Sequence, residues 1–249
     1  MPSPRLDAEV LLAAAMGVDR AVLISSPDRG LEPAEARAFQ EYARRRVQRE
    51  PVAYILGRKG FRRIELEVDP RVLIPRPETE HVVEAALALP QGVRVVDVGT
   101  GSGAIALALA DERPDLRVVA TDISPVALDV ARANAARLGL DIEFVEGDLL
   151  DGVTGPIDAV VANPPYVESG SRLQPEIAGF EPSVALYGGA GGLDVYRRLA
   201  PAAAVASFVA FEIGGWLGEA VGDLLSAEGF EVDVVQDLAG IDRVVVGRR

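Results

Sequence analysis

Apolar and polar positions change rhythm twice along this chain. Over residues 5–50 the apolar positions recur at helical spacing: Leu6, Val10, Ala13 and Ala14 form one stripe, and Ala38, Tyr42 and Val47 another. Pro27 and Gly30 punctuate between them, Pro33 suits the first turn of a helix, and Pro51 closes the region. Residues 61–75, FRRIELEVDPRVLIP, then alternate with period two, which predicts two short strands about an Asp69–Pro70 turn. From residue 78 onward, continuous apolar runs alternate with helical segments. Strands are predicted over 93–98, 117–121, 142–145, 157–162, 207–213, 231–235 and 243–246, and helices over 78–89, 104–111, 125–138, 193–203 and 216–228. Strands apolar on both faces and separated by helices predict an α/β fold with a doubly wound, mostly parallel sheet. The last two strands are close enough in sequence to pair as an antiparallel hairpin. The expected organisation is a helical bundle over 1–60, a hairpin linker over 61–77 and an α/β domain over 78–249. Residues 166–192 show little regular pattern, and long irregular segments in compact domains are usually functional.

Composition narrows the chemistry. The 249 residues, 49% apolar and 25% charged, are ordinary for a soluble globular protein. The absence of cysteine excludes disulfides and thiolate metal sites, and a single histidine, His81, argues against a histidine triad or zinc cluster. The N-terminus lacks the basic-then-apolar pattern of a signal peptide, and no apolar stretch reaches membrane-spanning length, so a cytoplasmic enzyme is expected. The net charge of −13 speaks against nonspecific nucleic-acid binding, but the charge is uneven. Residues 1–63 hold 12 Lys and Arg against 8 Asp and Glu, while the remainder holds 13 against 30, which suggests two modules. The Arg44–Arg46 cluster reads as a solvated helix face or, alternatively, as a partner-docking patch.

Asn163-Pro164-Pro165-Tyr166 follows the apolar run 157–162. Proline cannot donate to a ladder, so the chain must leave the sheet where it presents an amide and a phenol. The residue before Pro165 is held extended, which places the Pro164 carbonyl stiffly beside the Asn163 amide. Two fixed acceptors side by side suit a planar –NH2 group. Taken alone, the motif could also be a rigid turn with a buried tyrosine.

Asp97-Val98-Gly99-Thr100-Gly101-Ser102-Gly103 follows the first predicted strand of the α/β domain and opens a helix. Its glycines let the backbone turn tightly and approach a ligand. The dinucleotide fingerprint would need glycine at 104 or 106, where alanine stands, and a phosphate loop would need a Gly-Lys-Ser/Thr that is absent. Asp122, ending the second strand, suits both hydroxyls of a ribose. Asp148, ending the third, or the next backbone amide suits an adenine edge. Each aspartate taken alone reads first as a helix cap or turn former. Together with the loop and the Asn-Pro-Pro-Tyr turn, they suit a nucleoside without a phosphate tail. S-adenosylmethionine fits, with Asp97 toward its ammonium end.

With these motifs the chain resembles the release-factor glutamine methyltransferases (the HemK/PrmC family) over nearly its whole length. The resemblance is carried by P51-V-A-Y-I-L-G57, L73-I-P-R-P-E-T-E80, D97-V-G-T-G-S-G-A-I-A106, T121-D-I-S124, N163-P-P-Y166, F180-E-P182, G191-G-L-D-V-Y196, E212-I-G214 and D242-R-V244. It implies a helical domain joined by a hairpin to a Rossmann-like class I methyltransferase domain with seven strands. It implies methyl transfer from S-adenosylmethionine, leaving S-adenosylhomocysteine, to the glutamine side-chain nitrogen in the Gly-Gly-Gln motif of class I peptide chain release factors. Gly99, Thr100, Gly101, Ser102, Gly103, Asp122, Leu149 and Asn163 would then touch the cofactor, and Asn163, Pro164, Pro165 and Tyr166 the glutamine. Family members often carry an aromatic at position 149, and the segment at Gly215-Trp216 and the stretch PAAAVASF also depart from the usual pattern. Arg76, Glu78 and Glu80 either order the site entrance or cap a helix. Nothing demands more than a monomer. Two other readings stay open: a methyltransferase for another amide or for adenine N6, and a module that senses S-adenosylmethionine without catalysis.

Overall fold

The computed structural model describes residues 3–249, and these separate into two compact units. One unit contains the chain up to Arg58 together with Arg172–Phe180; the other contains Lys59–Ser171 and Glu181–Arg249.

The smaller unit is helical: α1 (Pro4–Met16), α2 (Arg20–Ser25), α3 (Pro33–Val47) and α4 (Val52–Leu56). Local chemistry sets their ends. Asp19 caps α2 by accepting from the Ala21 N–H, the Glu35 carboxylate accepts from the Glu32 N–H ahead of α3, and Gly17 and Gly57 close α1 and α4 in left-handed conformations. Leu11, Ala13, Tyr54 and Ile55 are buried. The arginine cluster is neither a solvated face nor a free docking patch. Arg45 pairs with Glu50 and donates to the carbonyls of Tyr54 and Ile55. Arg46 is 7% exposed, paired to Asp7 at 2.8 Å and to Glu176 at 3.0 Å. Arg49 adds a second bond to Glu176, 2.9 Å long. Only Arg44 keeps a surface pair, with Glu41. Glu176 lies on α8 (Pro175–Ala178), so part of the segment that looked irregular is a short helix held by this unit's arginines.

In the larger unit, β1 (Arg58–Phe61) and β2 (Ile64–Glu67) form a two-stranded sheet. The turn is therefore at Arg62-Arg63 and not at Asp69–Pro70. Arg62 takes a left-handed φ of 49° and is held by Glu112 and Glu84. Asp69 ends the strand region instead: its side chain accepts from the Arg71 N–H at 3.0 Å, a local turn that competes with strand pairing.

The main sheet has β3 (Arg94–Val98), β4 (Arg117–Asp122), β5 (Glu143–Glu146), β6 (Ala159–Ala162), β7 (Phe208–Glu212), β8 (Glu231–Gln236) and β9 (Asp242–Arg248). The order is β5-β4-β3-β6-β7-β9-β8, parallel except for β9, which inserts antiparallel between β7 and β8. The helices α5 (Glu80–Leu87), α6 (Ala104–Glu112), α7 (Pro125–Leu138), α9 (Asp194–Ala203) and α10 (Gly218–Ala227) fall within or close to their expected spans. The one change is that residues 77–79 form a 3₁₀ turn ahead of α5. Residues 104–109 of α6 are buried all round, as expected of a helix with no polar face. Val96, Val98, Val160, Val209, Phe211 and Val245 of the sheet share a core with Tyr196, Leu199, Val221 and Leu225 of α9 and α10.

Strand order reverses at β3: β4 and β5 run outward on one side, β6 and β7 on the other. Val98 is opposite Ala162, so the glycine loop and the Asn-Pro-Pro-Tyr turn leave the sheet side by side. Open α/β sheets bind ligands at the carboxyl ends of strands beside such a reversal.

Candidate active site

A cavity of ≈ 300 Å³ opens at this reversal. Among the residues singled out from the sequence, Gly99, Gly101, Asp122, Asp148, Leu149, Asn163, Pro164 and Pro165 line it. Asp97, Thr100, Ser102, Gly103 and Tyr166 stand outside its wall.

The glycine loop is shaped by strand β4. The N–H groups of Gly99 and Thr100 both donate to the Thr121 carbonyl at 2.9 Å, and the Gly101 N–H donates to Asp122 Oδ2 at 2.9 Å. Gly101 has φ +58°, and a Cβ built there meets nothing within 4 Å, so the backbone is bare toward open space. Asp97 lies fully buried behind the loop. Its Oδ2 accepts from Thr100 Oγ1 at 2.6 Å and from the Ala106 N–H at 3.1 Å, while Oδ1 has no partner. Burial pushes the Asp97 carboxyl up to about 7. Through Oδ2 Asp97 fastens loop and helix together, and Oδ1 stays unpartnered. Asp122 reaches the cavity; burial also raises it, opposed by the N–H groups of Ser124 and Gly101.

Two further walls follow β5 and β6. Leu149 adopts φ +56°, a costly conformation for a non-glycine residue, fixed where Thr121 Oγ1 donates to its carbonyl at 2.8 Å. Asp148 forms an ion pair with Arg198 of α9, and both line the cavity. At the turn, Asn163 Nδ2 donates to Thr79 Oγ1 at 3.0 Å. Tyr166 sends its hydroxyl toward Glu212 Oε1 at 3.4 Å and lies edge-on to Trp216, with ring centroids 6.4 Å apart. Burial, then the Glu212 charge, raises the Tyr166 phenol above its ordinary range. Gly192 explains the second glycine motif: a Cβ there would stand 2.1 Å from the Tyr166 carbonyl, so only glycine allows this approach.

The motifs around the turn are tied to one another. Glu181 accepts from Arg76 at 2.6 Å and from the Ile74 N–H at 3.3 Å. Glu80 accepts from the Arg62 N–H, Glu78 lies 3.6 Å from Arg243, and His81 contacts the Glu78 carbonyl. Four residues escaped sequence reasoning: Thr79, Asn134, Arg198 and Glu212. Asn134, fully buried on α7, accepts from the Glu67 N–H at 2.7 Å and donates to the Glu67 and Ser102 carbonyls, each at 3.0 Å. Thr79 and Glu212 stand inside quoted motifs, yet neither motif shows that the two meet. Asn134 and Arg198 carry no signal that separates them from surface polar residues.

Comparison with known proteins gives this geometry a family. Residues 1–57 match the PrmC N-terminal domain, and residues 79–178 match the Methyltransferase small domain. The release factor glutamine methyltransferase of Koribacter versatilis is 44% identical over 262 residues, covering 100% of this chain and 92% of that protein. The chain belongs to the release factor glutamine methyltransferase family. Another member, from Neisseria gonorrhoeae, is 43% identical over 98% of this chain and 93% of its own length. A methyltransferase structure from Pyrococcus furiosus shares the family's fold at 20% identity, with a TM-score of 0.58 over 74% of this chain and 87% of that one. The chain is therefore a methyltransferase.

Proposed function

We propose that this enzyme methylates the side-chain nitrogen (N5) of the glutamine in the Gly-Gly-Gln motif of class I release factors, and so supports translation termination. The observation that carries the reading is the tether of Asn163 Nδ2 to Thr79, at the edge of a cavity that ends on Asn163, Pro164 and Pro165. With its nitrogen committed, Asn163 presents its oxygen, and the Pro164 carbonyl is the second acceptor. A primary amide has two hydrogens to give, one to each.

The cavity also fits S-adenosylmethionine. Asp122 provides an acceptor for ribose hydroxyls, Gly99 and Gly101 leave bare backbone with no Cβ in the way, and Leu149 supplies an apolar cover for a base. Thr100, Ser102, Gly103 and Asp97 shape the loop from behind, and the Asp148–Arg198 pair borders the same space. When bound, the cofactor supplies an electrophilic methyl group on a sulfonium. Asn163 and Pro164 then hold the amide nitrogen in line and stabilise the positive charge that develops on it. Fixing this alignment is worth several kcal/mol, roughly 7–11 at best. Tyr166, packed against Trp216, borders the amide. No general base is required, because the nitrogen becomes acidic only once it has been methylated.

In this reading residues 1–60 dock the protein substrate, 61–77 link, and 78–249 catalyse. The enzyme acts on this reading as a monomer, in the cytoplasm where release factors work. Among the described residues, no helix is long and apolar enough to cross a membrane. The test is methyl transfer from labelled S-adenosylmethionine, offered in parallel to a class I release factor, ribosomal proteins and adenine-containing nucleic acid. Label on the release factor supports the reading, and label only on another acceptor redirects it.

A further inference from the structure

We propose that Thr79 and Glu212 are positioning residues that keep the oxygen of the Asn163 amide turned to the substrate through a one-way chain of hydrogen bonds. The proposal rests on the glutamine-transfer reading above. Asn163 Nδ2 donates to Thr79 Oγ1 at 3.0 Å, and the Thr79 hydroxyl lies beside the buried Glu212 carboxyl and favours its ionised form, while Glu212 Oε2 has no partner of its own. Tyr166 directs its hydroxyl to Oε1 of the same carboxyl at 3.4 Å. Thr79 is 3% exposed and Glu212 1%, so these two side chains are shielded from competing water.

Donor counting gives the chain its direction. A carboxylate only accepts, so with Glu212 ionised the single Thr79 proton points to Glu212. The Thr79 oxygen then has only lone pairs left, and the one branch of the Asn163 amide that satisfies them is the nitrogen. The acceptor oxygen is thereby fixed on the other side, where it is needed. A proton on Glu212 cancels this. The acid can donate to Thr79, Thr79 can donate to a flipped Asn163, and an N–H then meets the substrate N–H.

The groups facing Glu212 set where it titrates. Glu78 opposes its ionisation, while Arg243 and the hydroxyls of Thr79 and Tyr166 favour it. Tyr196 donates to its main-chain carbonyl at 2.6 Å, and Arg76 acts on the neighbouring Tyr166. Burial dominates and pushes the carboxyl up to about 7. The chain is therefore polarised for catalysis above neutral pH and loses its direction as pH falls through about 7.

Two readouts test this. The first is the Asn163 side-chain amide resonance, followed by NMR from about pH 6 to 9 with S-adenosylhomocysteine bound, the range that brackets a group poised near neutrality. It is predicted to titrate near neutrality in the wild type and to stop titrating in Thr79→Val and Glu212→Gln. The second is steady-state methylation of a release factor. Thr79→Val is predicted to lose about tenfold in kcat, with KM and S-adenosylhomocysteine affinity nearly unchanged. Thr79→Ser is predicted to restore it, and Glu212→Gln to lack the acidic limb. Absence of the wild-type NMR titration, its persistence in Thr79→Val, or full kcat in Thr79→Val overturns the proposal; Thr79→Val decides the matter if Glu212→Gln fails to fold. An enzyme that shows the titration but leaves the release factor unmethylated overturns the substrate reading and leaves the positioning chain standing.

Discussion

Asn134→Ala separates the scaffold from the chemistry, because Asn134 touches neither cavity nor turn yet joins three parts of the larger unit. Its amide completes β2 through both main-chain groups of Glu67 and holds the Ser102 carbonyl in the glycine loop. Glu67 lies at the surface, so water can replace those two bonds, at about 1 kcal/mol each. Ser102 is 2% exposed, and its carbonyl would be left dry, at roughly 1–3 kcal/mol. The loss is therefore about 3–5 kcal/mol, which for a chain of this size lowers Tm by roughly 10 °C. Circular dichroism melts, with and without saturating S-adenosylhomocysteine, read both consequences. The apo Tm is predicted to fall, and the gain in Tm on ligand binding to shrink, because the loop has lost a support. A Tm within about 2 °C of wild type refutes the reasoning. A full fall with an undiminished ligand gain confines the role of Asn134 to the hairpin.

Two more outcomes are expected. Asp97 is raised to about 7 by burial, so its ionisation costs the folded state up to about 4 kcal/mol; that cost is absent below the ordinary carboxylate range and complete above about pH 7. Asp97→Asn is therefore predicted to gain Tm relative to wild type between about pH 5 and 8, and a pH-independent difference contradicts this. Trp216 is 69% exposed and edge-on to Tyr166, and on the glutamine-transfer reading it would meet the backbone flanking the glutamine. Trp216→Ala is predicted to raise KM for the release factor tenfold or more with kcat nearly unchanged, as for an exposed aromatic anchor; an unaltered KM removes Trp216 from the interface.

Much of the fold was legible because it is written in short-range patterns. The apolar runs ending at Val98, Asp122 and Ala162 read as buried strands, and the glycine loop after the first of them lies at the sheet's carboxyl edge. What escaped depends on partners distant in sequence. Arg45 and Arg46 look identical as letters whether they meet water or Glu50, Asp7 and Glu176, and the last lies 130 residues away from Arg46. The turn at Arg62-Arg63 lacks the glycine or asparagine that usually announces one, whereas Asp69–Pro70 displays turn chemistry and uses it to end a strand. That β9 slips between β7 and β8 is a matter of sheet order, on which periodicity is silent. The site shows the same division. Asn163 and the glycines stand in contiguous motifs, while Thr79, Asn134 and Glu212 act only through residues brought to them by folding.

The most direct measurement is to locate the methyl group. A class I release factor incubated with the enzyme and S-adenosylmethionine would be digested and fragmented by mass spectrometry, beside a variant with the Gly-Gly-Gln glutamine replaced. The account predicts one added methyl on that glutamine's side-chain nitrogen and none on the variant. A methyl at any other residue, or equal labelling of the variant, would contradict it.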